Sequence, residues 1–128
     1  MTPQDMVPKD KFDDRNVELL KLATNELVAP ILGDLVQWLQ DLNWPVAQKL
    51  INVLPRFQFD LIPYIIEVLH SNDDMWKNGV LQFVEKFEKE SAFLLYSEIR
   101  RISNEPTMSE IMEDTPYYAN RVIKKFDF

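Results

Sequence analysis

Apolar side chains recur along most of the chain at alternating intervals of three and four residues. The clearest run consists of Val28, Leu32, Leu35, Leu39 and Leu42. Because an α-helix repeats every 3.6 residues, this spacing places all five side chains on one helical face. No segment shows a sustained alternation of apolar and polar residues, which is the pattern of a half-buried strand. The chain is therefore predicted to be all-α.

The composition agrees with a helical domain that has a core of its own. The sequence contains two glycines among its 128 residues, whereas β-rich folds use glycine freely in tight turns. Apolar residues make up 46% and charged residues 27% of the chain, a globular balance rather than a disordered one. We therefore expect residues 1–128 to form a single domain.

Prolines and polar turns predict where the helices begin and end. Pro3 and Pro8 favour an extended leader over residues 1–12. A loose, polar loop is expected over residues 104–114, and a terminal helix is expected over residues 115–126. Between the leader and the loop, the apolar runs predict further helices, which gives about six to seven helices in all.

Three of the predicted helix starts depend on specific residue types. Asp13 is expected to cap the first helix, with Phe12 and Val17 as a hydrophobic staple around the cap. Pro30 and Pro63 are each expected in the first turn of a helix, where the missing N–H group of proline costs nothing.

Two stretches of the chain look like copies of one another. Pro30 and Pro63 are 33 residues apart, and Trp44 and Trp76 are 32 residues apart. A period of about 30–35 residues with two helices per unit is typical of α-solenoids, in which hairpins stack to bury their apolar faces. The sequence therefore predicts a short α-solenoid, a HEAT-like stack of antiparallel hairpins.

A resemblance to a known kind of repeat supports this architecture. Residues 41–47 read Asp-Leu-Asn-Trp-Pro-Val-Ala and resemble the Asp-x-x-Trp-x-Val turn of short HEAT repeats of the phycobilisome-lyase type. Together with the segments 7–13 and 38–41, this turn makes most of residues 7–104 similar to a family of uncharacterised small bacterial proteins built on such repeats. The resemblance implies a HEAT-like fold and no established activity.

The residues that most often carry enzyme chemistry are few. The short-repeat turn usually has an arginine after its valine, but this chain has Ala47 and Leu81, so no lyase-like role and no cofactor are expected. There is no cysteine, which excludes a thiol nucleophile and fits a cytoplasmic protein. His70 is the only histidine and is expected to complement a helix end. Gly33 and Gly79 are too isolated to form a phosphate-binding loop.

Acidic residues and tryptophans are the candidates for a binding surface. Asp41 and Asp73 could bind a cation or act in acid–base catalysis, yet carboxylates just before helices are favoured as caps. The Asp73–Asp74 pair lacks the glycine of a calcium-binding loop, so no metal is expected. Tryptophan is enriched in interface hot spots, although Trp44 and Trp76 are expected to pack between repeats. The sequence leaves open whether Trp38 is exposed or covered. The candidate partner-binding residues are thus Trp38, Asp41, Trp44, Asp73, Asp74 and Trp76.

The net charge of −7, from 14 basic and 21 acidic residues, bears on the kind of partner. An acidic chain repels the phosphate backbone, so nucleic acid is not expected, and a basic protein surface is favoured. The N-terminal residues lack the pattern of a signal peptide, and no apolar run reaches the ~18 residues of a membrane span. We expect no membrane contact.

Three functional hypotheses follow from these patterns. The leading hypothesis is a non-enzymatic protein-interaction module, in a specific version a regulatory or immunity-type protein that covers a basic partner such as a nuclease. The alternative is a small-ligand binder or hydrolytic enzyme that uses carboxylates in a tryptophan-lined groove. A deep pocket that holds Asp41, Asp74 and Trp44 together would favour this alternative. The third is a structural unit of a larger complex. The module is expected to be a monomer or a weak oligomer.

Overall fold

The computed structural model describes residues 2–128, and every regular element in this range is helical. Nine α-helical segments lie in the range: α1 (Asn25–Val28), α2 (Leu32–Val36), α3 (Pro45–Val53), α4 (Gln58–Leu69), α5 (Asp74–Val84), α6 (Lys89–Phe93), α7 (Tyr96–Asn104), α8 (Met108–Met112) and α9 (Thr115–Phe126). Short 3-10 turns occur at Pro3–Met6, Val17–Lys21, Ala29–Ile31, Gln37–Leu39 and Leu54–Phe57. The predicted all-α class is confirmed. None of the helices within residues 2–128 is long and apolar enough to cross a membrane.

The apolar stripe of the second predicted helix forms part of the core. Val28, Leu32, Leu35 and Leu39 are buried, and Leu42 is partly buried against them. These residues do not lie on one uninterrupted α-helix, because α1 and α2 alternate with the 3-10 turns over residues 25–39. The periodicity therefore predicted the buried face correctly, although the helix that carries it changes pitch along its length.

The two repeated prolines lie deeper in their helical runs than predicted. Pro30 and Pro63 are each the sixth residue of a run, because α1 begins at Asn25 and α4 at Gln58. Thr24 supplies the cap of α1, its hydroxyl oxygen accepting the Leu27 N–H at 3.1 Å. The first-turn prediction is wrong for Pro63, which lies inside α4, whereas Pro30 is the second residue of the 3-10 turn Ala29–Ile31 that precedes α2. The two prolines nevertheless have equivalent positions in their helical runs.

The two repeated tryptophans are not equivalent. Trp44 is the N-cap of α3, whereas Trp76 is the third residue of α5. The segment α2 packs against α4, as hairpin stacking requires, while α5 packs mainly against α9 and α3 packs against the Val17–Lys21 turn. The solenoid arrangement itself stays a prediction.

The N-terminal segment is more compact than the predicted leader, whose first residue lies outside the described range. It contains the 3-10 turn Pro3–Met6 and buries the Met6 side chain. Asp13 does not cap a helix, because the next helical turn begins at Val17 with Asn16 at its N-cap, and the Asp13 carboxylate instead accepts the Lys9 N–H at 2.9 Å. Phe12 is 67% exposed and forms no staple. The predicted first helix is reduced to the 3-10 turn Val17–Lys21.

The predicted loose loop over residues 104–114 contains a capped helix. The Thr107 hydroxyl accepts the Glu110 N–H at 3.1 Å, and the Glu110 carboxylate accepts the Thr107 N–H at 2.8 Å. This reciprocal capping box starts α8, so the loop prediction is wrong. Helix α9 follows, as predicted, and packs against α5 and α7.

The helical segments and 3-10 turns over residues 25–39 form one continuous stretch, the 25–39 run. Gly79 lets α5 approach the end of this run closely. A Cβ atom added to Gly79 would lie 2.1 Å from the Leu39 carbonyl oxygen. A side chain of any size would therefore push the backbones apart. This approach also brings Trp76 next to the 25–39 run, and the Trp76 indole N–H donates to the Val36 carbonyl at 3.1 Å.

Candidate functional site

Trp38 and Trp44 form an aromatic pair at the surface of the core. Their ring centroids are 5.6 Å apart at an interplanar angle of 66°, an edge-to-face geometry. Both side chains are partly buried. The pair fixes the turn between the Gln37–Leu39 segment and α3 and leaves part of each ring exposed.

Asp41 and Asp73 hold backbone groups at the two turns. The Asp73 carboxylate accepts the Trp76 N–H at 3.0 Å and caps α5, which confirms the capping interpretation for this residue. Asp41 accepts the Asn43 N–H at 2.8 Å within the turn, but Trp44 is the residue at the N-cap of α3. Asp41 therefore stabilises a turn instead of capping the helix.

Asp74 lies inside the molecule and not on its surface. The residue is only 8% exposed, and its carboxylate pairs with the Lys77 ammonium at 3.0 Å. Asp41 lines a surface cleft with Asn78 and Tyr118 instead. The carboxylates of Asp41 and Asp74 thus face different surroundings, one at the surface and one in the interior.

Lys77 and Asp74 belong to a buried ion cluster centred on Glu110, which is 0% exposed. The Lys77 ammonium lies 2.9 Å from Glu110 Oε2. The Arg101 guanidinium donates two hydrogen bonds to the same carboxylate, at 2.6 Å and 2.8 Å. The buried ion cluster (Asp74, Lys77, Arg101 and Glu110) therefore contains two positive and two negative charges.

The surroundings of Glu110 keep its carboxylate ionised. Burial raises the pKa of this group, but the hydrogen bonds from Arg101, the Thr107 N–H and Lys77 outweigh burial and lower the pKa to about 2. A carboxylate with so low a pKa holds no proton at neutral pH and cannot act as a general acid. The ion pairs of the cluster join α5, α7 and α8.

A second set of carboxylates borders a groove between the 25–39 run and α4. The groove consists of two adjoining hollows that share the Tyr64 side chain. Glu26 and Asp60 line one hollow, and Asp34 and Glu67 line the other. We call this feature the acidic groove (Glu26, Asp34, Asp60, Tyr64 and Glu67).

The carboxylates of the acidic groove are not neutralised by the protein. Within residues 2–128, the side chains of Glu26, Asp34, Asp60 and Glu67 accept no hydrogen bond and form no salt bridge. The contrast with Glu110 is complete, because every oxygen of that carboxylate is hydrogen-bonded.

The charge distribution along the sequence makes the groove acidic. The segments 22–48 and 57–76 contain seven Asp and Glu residues and no Lys or Arg. The remaining 14 of the 21 acidic residues balance all 14 basic residues. The whole net charge of −7 therefore resides in the two segments that form the acidic groove and its flanking turns.

Some of these features could be recognised in the sequence, and others could not. Thr107 and Glu110 have the spacing of a capping box, which was a readable signal for α8. The two segments without basic residues were also readable. Their convergence in one groove depends on the packing of α2 against α4, which local spacing does not reveal. Among residues 2–128, no three Asp, Glu or His side chains are grouped so that they could hold a metal ion.

The fold and these features define an all-α domain with an internally neutralised ion cluster and an open acidic groove. The chain belongs to the family described as "Domain of unknown function (DUF5071)", whose model matches residues 6–123. No curated protein matches the sequence. The family assignment agrees with the expected family of unknown function.

Proposed function

We propose that this domain is a non-enzymatic protein-interaction module that binds a basic partner through the acidic groove. The observation that carries the proposal is the set of four unpartnered carboxylates, Glu26, Asp34, Asp60 and Glu67, which line two hollows that share Tyr64. Charge that the protein does not neutralise internally is available to a complementary surface.

The electrostatics of the groove favour a cationic partner in two ways. A patch of one sign in a concave surface focuses the field and raises the rate of encounter with an oppositely charged protein. The patch also repels acidic proteins and nucleic acid, which contributes to the choice of partner.

The walls of the groove provide contact area in addition to charge. Tyr64 lies between the two hollows, and Trp76 lines the hollow that contains Asp34 and Glu67. Tyrosine and tryptophan are frequent in the energetically important centre of protein interfaces. A basic partner that covers the groove would bury both rings and neutralise the carboxylates.

The finer version of the proposal is a regulatory or immunity-type protein of the bacterial cytoplasm with a HEAT-like stack of hairpins. The packing of α2 against α4 and the equivalent positions of Pro30 and Pro63 support the hairpin repeat. The absence of cysteine from the sequence fits a reducing compartment.

An affinity capture with matched charge variants tests the proposal. The groove variant carries Glu26→Gln, Asp34→Asn, Asp60→Asn and Glu67→Gln, and the control variant carries Glu88→Gln, Glu90→Gln, Glu105→Gln and Glu113→Gln. Both variants change the net charge equally, because each replaces four carboxylates by amides. All four control residues are exposed. Extracts of the native cell are passed over the wild type and both variants, and the retained proteins are identified by mass spectrometry.

We expect at least one basic protein to be retained by the wild type and by the control variant but lost from the groove variant. The purified protein should then bind the wild type directly, with an affinity that falls as salt is added. Equal retention by the groove variant and the control variant would contradict the proposal.

A further inference from the structure

The hollow that contains Asp34 and Glu67 is the more enclosed part of the acidic groove. Its volume is about 310 Å³, and its walls come from α2, α4 and the start of α5. Two aromatic side chains, Tyr64 and Trp76, line it together with the two carboxylates. Its volume is at the lower end of the range for small-ligand pockets, which suits a single side chain. We call it the Trp76 pocket.

Two of the side-chain hydrogen-bond donors that line the Trp76 pocket are committed to the protein, and two others, the Tyr64 hydroxyl and the Gln37 amide, donate no hydrogen bond within residues 2–128. The Trp76 indole N–H donates to the Val36 carbonyl at 3.1 Å, and the Ser71 hydroxyl donates to the Val68 carbonyl at 2.7 Å. The carboxylates of Asp34 and Glu67, in contrast, accept no hydrogen bond within residues 2–128. The pocket therefore offers acceptors and negative charge, and its complement is a cationic donor.

The aromatic walls favour a guanidinium over an ammonium group. The Trp76 ring is fixed by its indole hydrogen bond, and the Tyr64 ring rests on the backbone at Gly33, where an added Cβ would lie 3.1 Å from Tyr64 Cε1. A guanidinium is planar, stacks on aromatic rings, carries five N–H donors and is less strongly hydrated than an ammonium. It can also form charge-assisted hydrogen bonds with two carboxylates at once.

From this charge complementarity we infer that the Trp76 pocket is a binding site for the guanidinium group of an arginine side chain. The assignment of that arginine to a protein partner rests on the proposed function above. The guanidinium site itself can be tested without any partner.

The test uses N-acetyl-arginine methylamide and its neutral isostere, N-acetyl-citrulline methylamide, as probes. Each probe is titrated into ¹⁵N-labelled protein, and the indole N–H resonance of Trp76 is followed after assignment with Trp76→Phe. We expect the arginine probe to shift this resonance saturably. The citrulline probe has the same shape without the charge and should shift it much less.

Matched variants locate the response in the pocket. Asp34→Asn with Glu67→Gln should weaken the affinity for the arginine probe roughly ten-fold, because two charge-assisted hydrogen bonds become neutral. Glu88→Gln with Glu90→Gln changes the net charge equally at two exposed residues outside the acidic groove and should alter the affinity by no more than about two-fold, because neither residue lines the pocket and their charges are screened by solvent.

Three results would overturn the guanidinium site: no shift with the arginine probe, an equal shift with the citrulline probe, or unchanged affinity in the Asp34→Asn, Glu67→Gln variant. The first two come from the wild-type protein, so they do not depend on the folding of a variant. If these results coincide with loss of the captured protein from the groove variant, the proposed function stands and the arginine assignment fails. If the arginine probe binds in a charge-dependent way but no partner is captured, the guanidinium site is supported and the proposed function is contradicted.

Discussion

The acidic groove and the buried ion cluster both contain carboxylates, which are exposed and unpartnered in the groove but buried and hydrogen-bonded in the cluster. In the cluster, Glu110 is removed from water and every oxygen of its carboxylate is hydrogen-bonded to a cation or a backbone N–H. In the groove, Asp34 and Glu67 are exposed and accept no hydrogen bond from residues 2–128. The difference shows that the number of acidic residues says little about function until each carboxylate has been matched with its partners.

The physical cost of each arrangement explains why the two sets behave differently. Burial of an ion costs several kcal/mol unless oppositely charged groups surround it, so the cluster has to be saturated to exist. A carboxylate at the surface keeps its water and needs no partner within the chain. Removal of one partner from the cluster is therefore expected to destabilise the fold, whereas the carboxylates of the groove stay exposed to solvent without a partner in the chain.

The largest expected effect comes from removal of the central charge of the cluster. Glu110→Gln leaves Arg101 and Lys77 without their shared carboxylate and should lower the free energy of unfolding by about 3 kcal/mol. The loss is at the lower end for a buried pair, because Lys77 retains Asp74 and Arg101 is partly exposed. Urea denaturation at pH 7 measures the change.

Glu113→Gln is the matched control for this prediction, because Glu113 follows the same helix and is exposed. It should change the free energy of unfolding by less than about 0.5 kcal/mol. Similar losses in the two variants would remove the distinction between buried and exposed carboxylates.

The pH dependence of stability provides a second check on the same carboxylate. The pKa of Glu110 is about 2 in the folded protein and 4.5 in an ordinary environment, so unfolding takes up a proton between these values. Its contribution to stability is therefore fully present above about pH 4.5 and is lost as the pH falls toward 2. The difference in unfolding free energy between the wild type and Glu110→Gln should shrink over this range.

Comparison with the variant is needed because another carboxylate titrates in the same window. The hydrogen bonds from Arg15 and from the Lys9 N–H lower the pKa of Asp13 to about 2 as well. Asp13 is present in both proteins, so its contribution cancels in the difference. A difference that stays constant from pH 7 to pH 2.5 would show that the partners of Glu110 do not lower its pKa in the folded protein.

The two glycines should give the smallest effect and sharpen the contrast between the interior and the groove. Gly79→Ala places a methyl group against the Leu39 carbonyl, a backbone atom that cannot move alone, and should cost about 1–3 kcal/mol. Gly33→Ala meets only the edge of the Tyr64 ring, which is partly exposed and can shift. The loss of unfolding free energy in Gly33→Ala should therefore be smaller than in Gly79→Ala. It should also be partly offset by the higher helix propensity of alanine, which contributes about 1 kcal/mol.

Thermal or urea unfolding of the two alanine variants measures this difference. Equal losses of unfolding free energy in Gly33→Ala and Gly79→Ala would mean that the contact of α5 with the Leu39 carbonyl is no tighter than the contact of Gly33 with the Tyr64 ring.

Local features of the sequence were sufficient to predict the all-α class and much of the core. The stripe from Val28 to Leu39 is buried as expected, because helical periodicity acts within a few residues. Asp73 also caps a helix as expected, since a cap involves only the next three residues. For these two local features, spacing alone was informative.

Some wrong predictions involve interactions between residues distant in sequence, whereas those for Asp13, Pro63 and residues 104–114 concern local structure. Asp74 and Glu110 look like solvated surface residues until Lys77 and Arg101 bring them into one cluster. The spacing of Trp44 and Trp76 suggested equivalent positions, but their helices begin at different distances from the tryptophans. The acidic groove likewise needs α2 and α4 side by side. Packing, which single-sequence patterns do not contain, decided the cluster and the groove, whereas the two tryptophans differ because their helices begin at different points.

The most direct test of the account is a calorimetric titration of a short peptide of alternating arginine and glycine at low salt. The peptide is titrated into the wild type, the groove variant and the control variant of equal charge. We expect the wild type and the control variant to bind with similar affinity and the groove variant to bind at least about ten-fold more weakly. Equal affinities of the groove variant and the control variant would show that the peptide responds only to net charge, which contradicts a role for the unpartnered carboxylates.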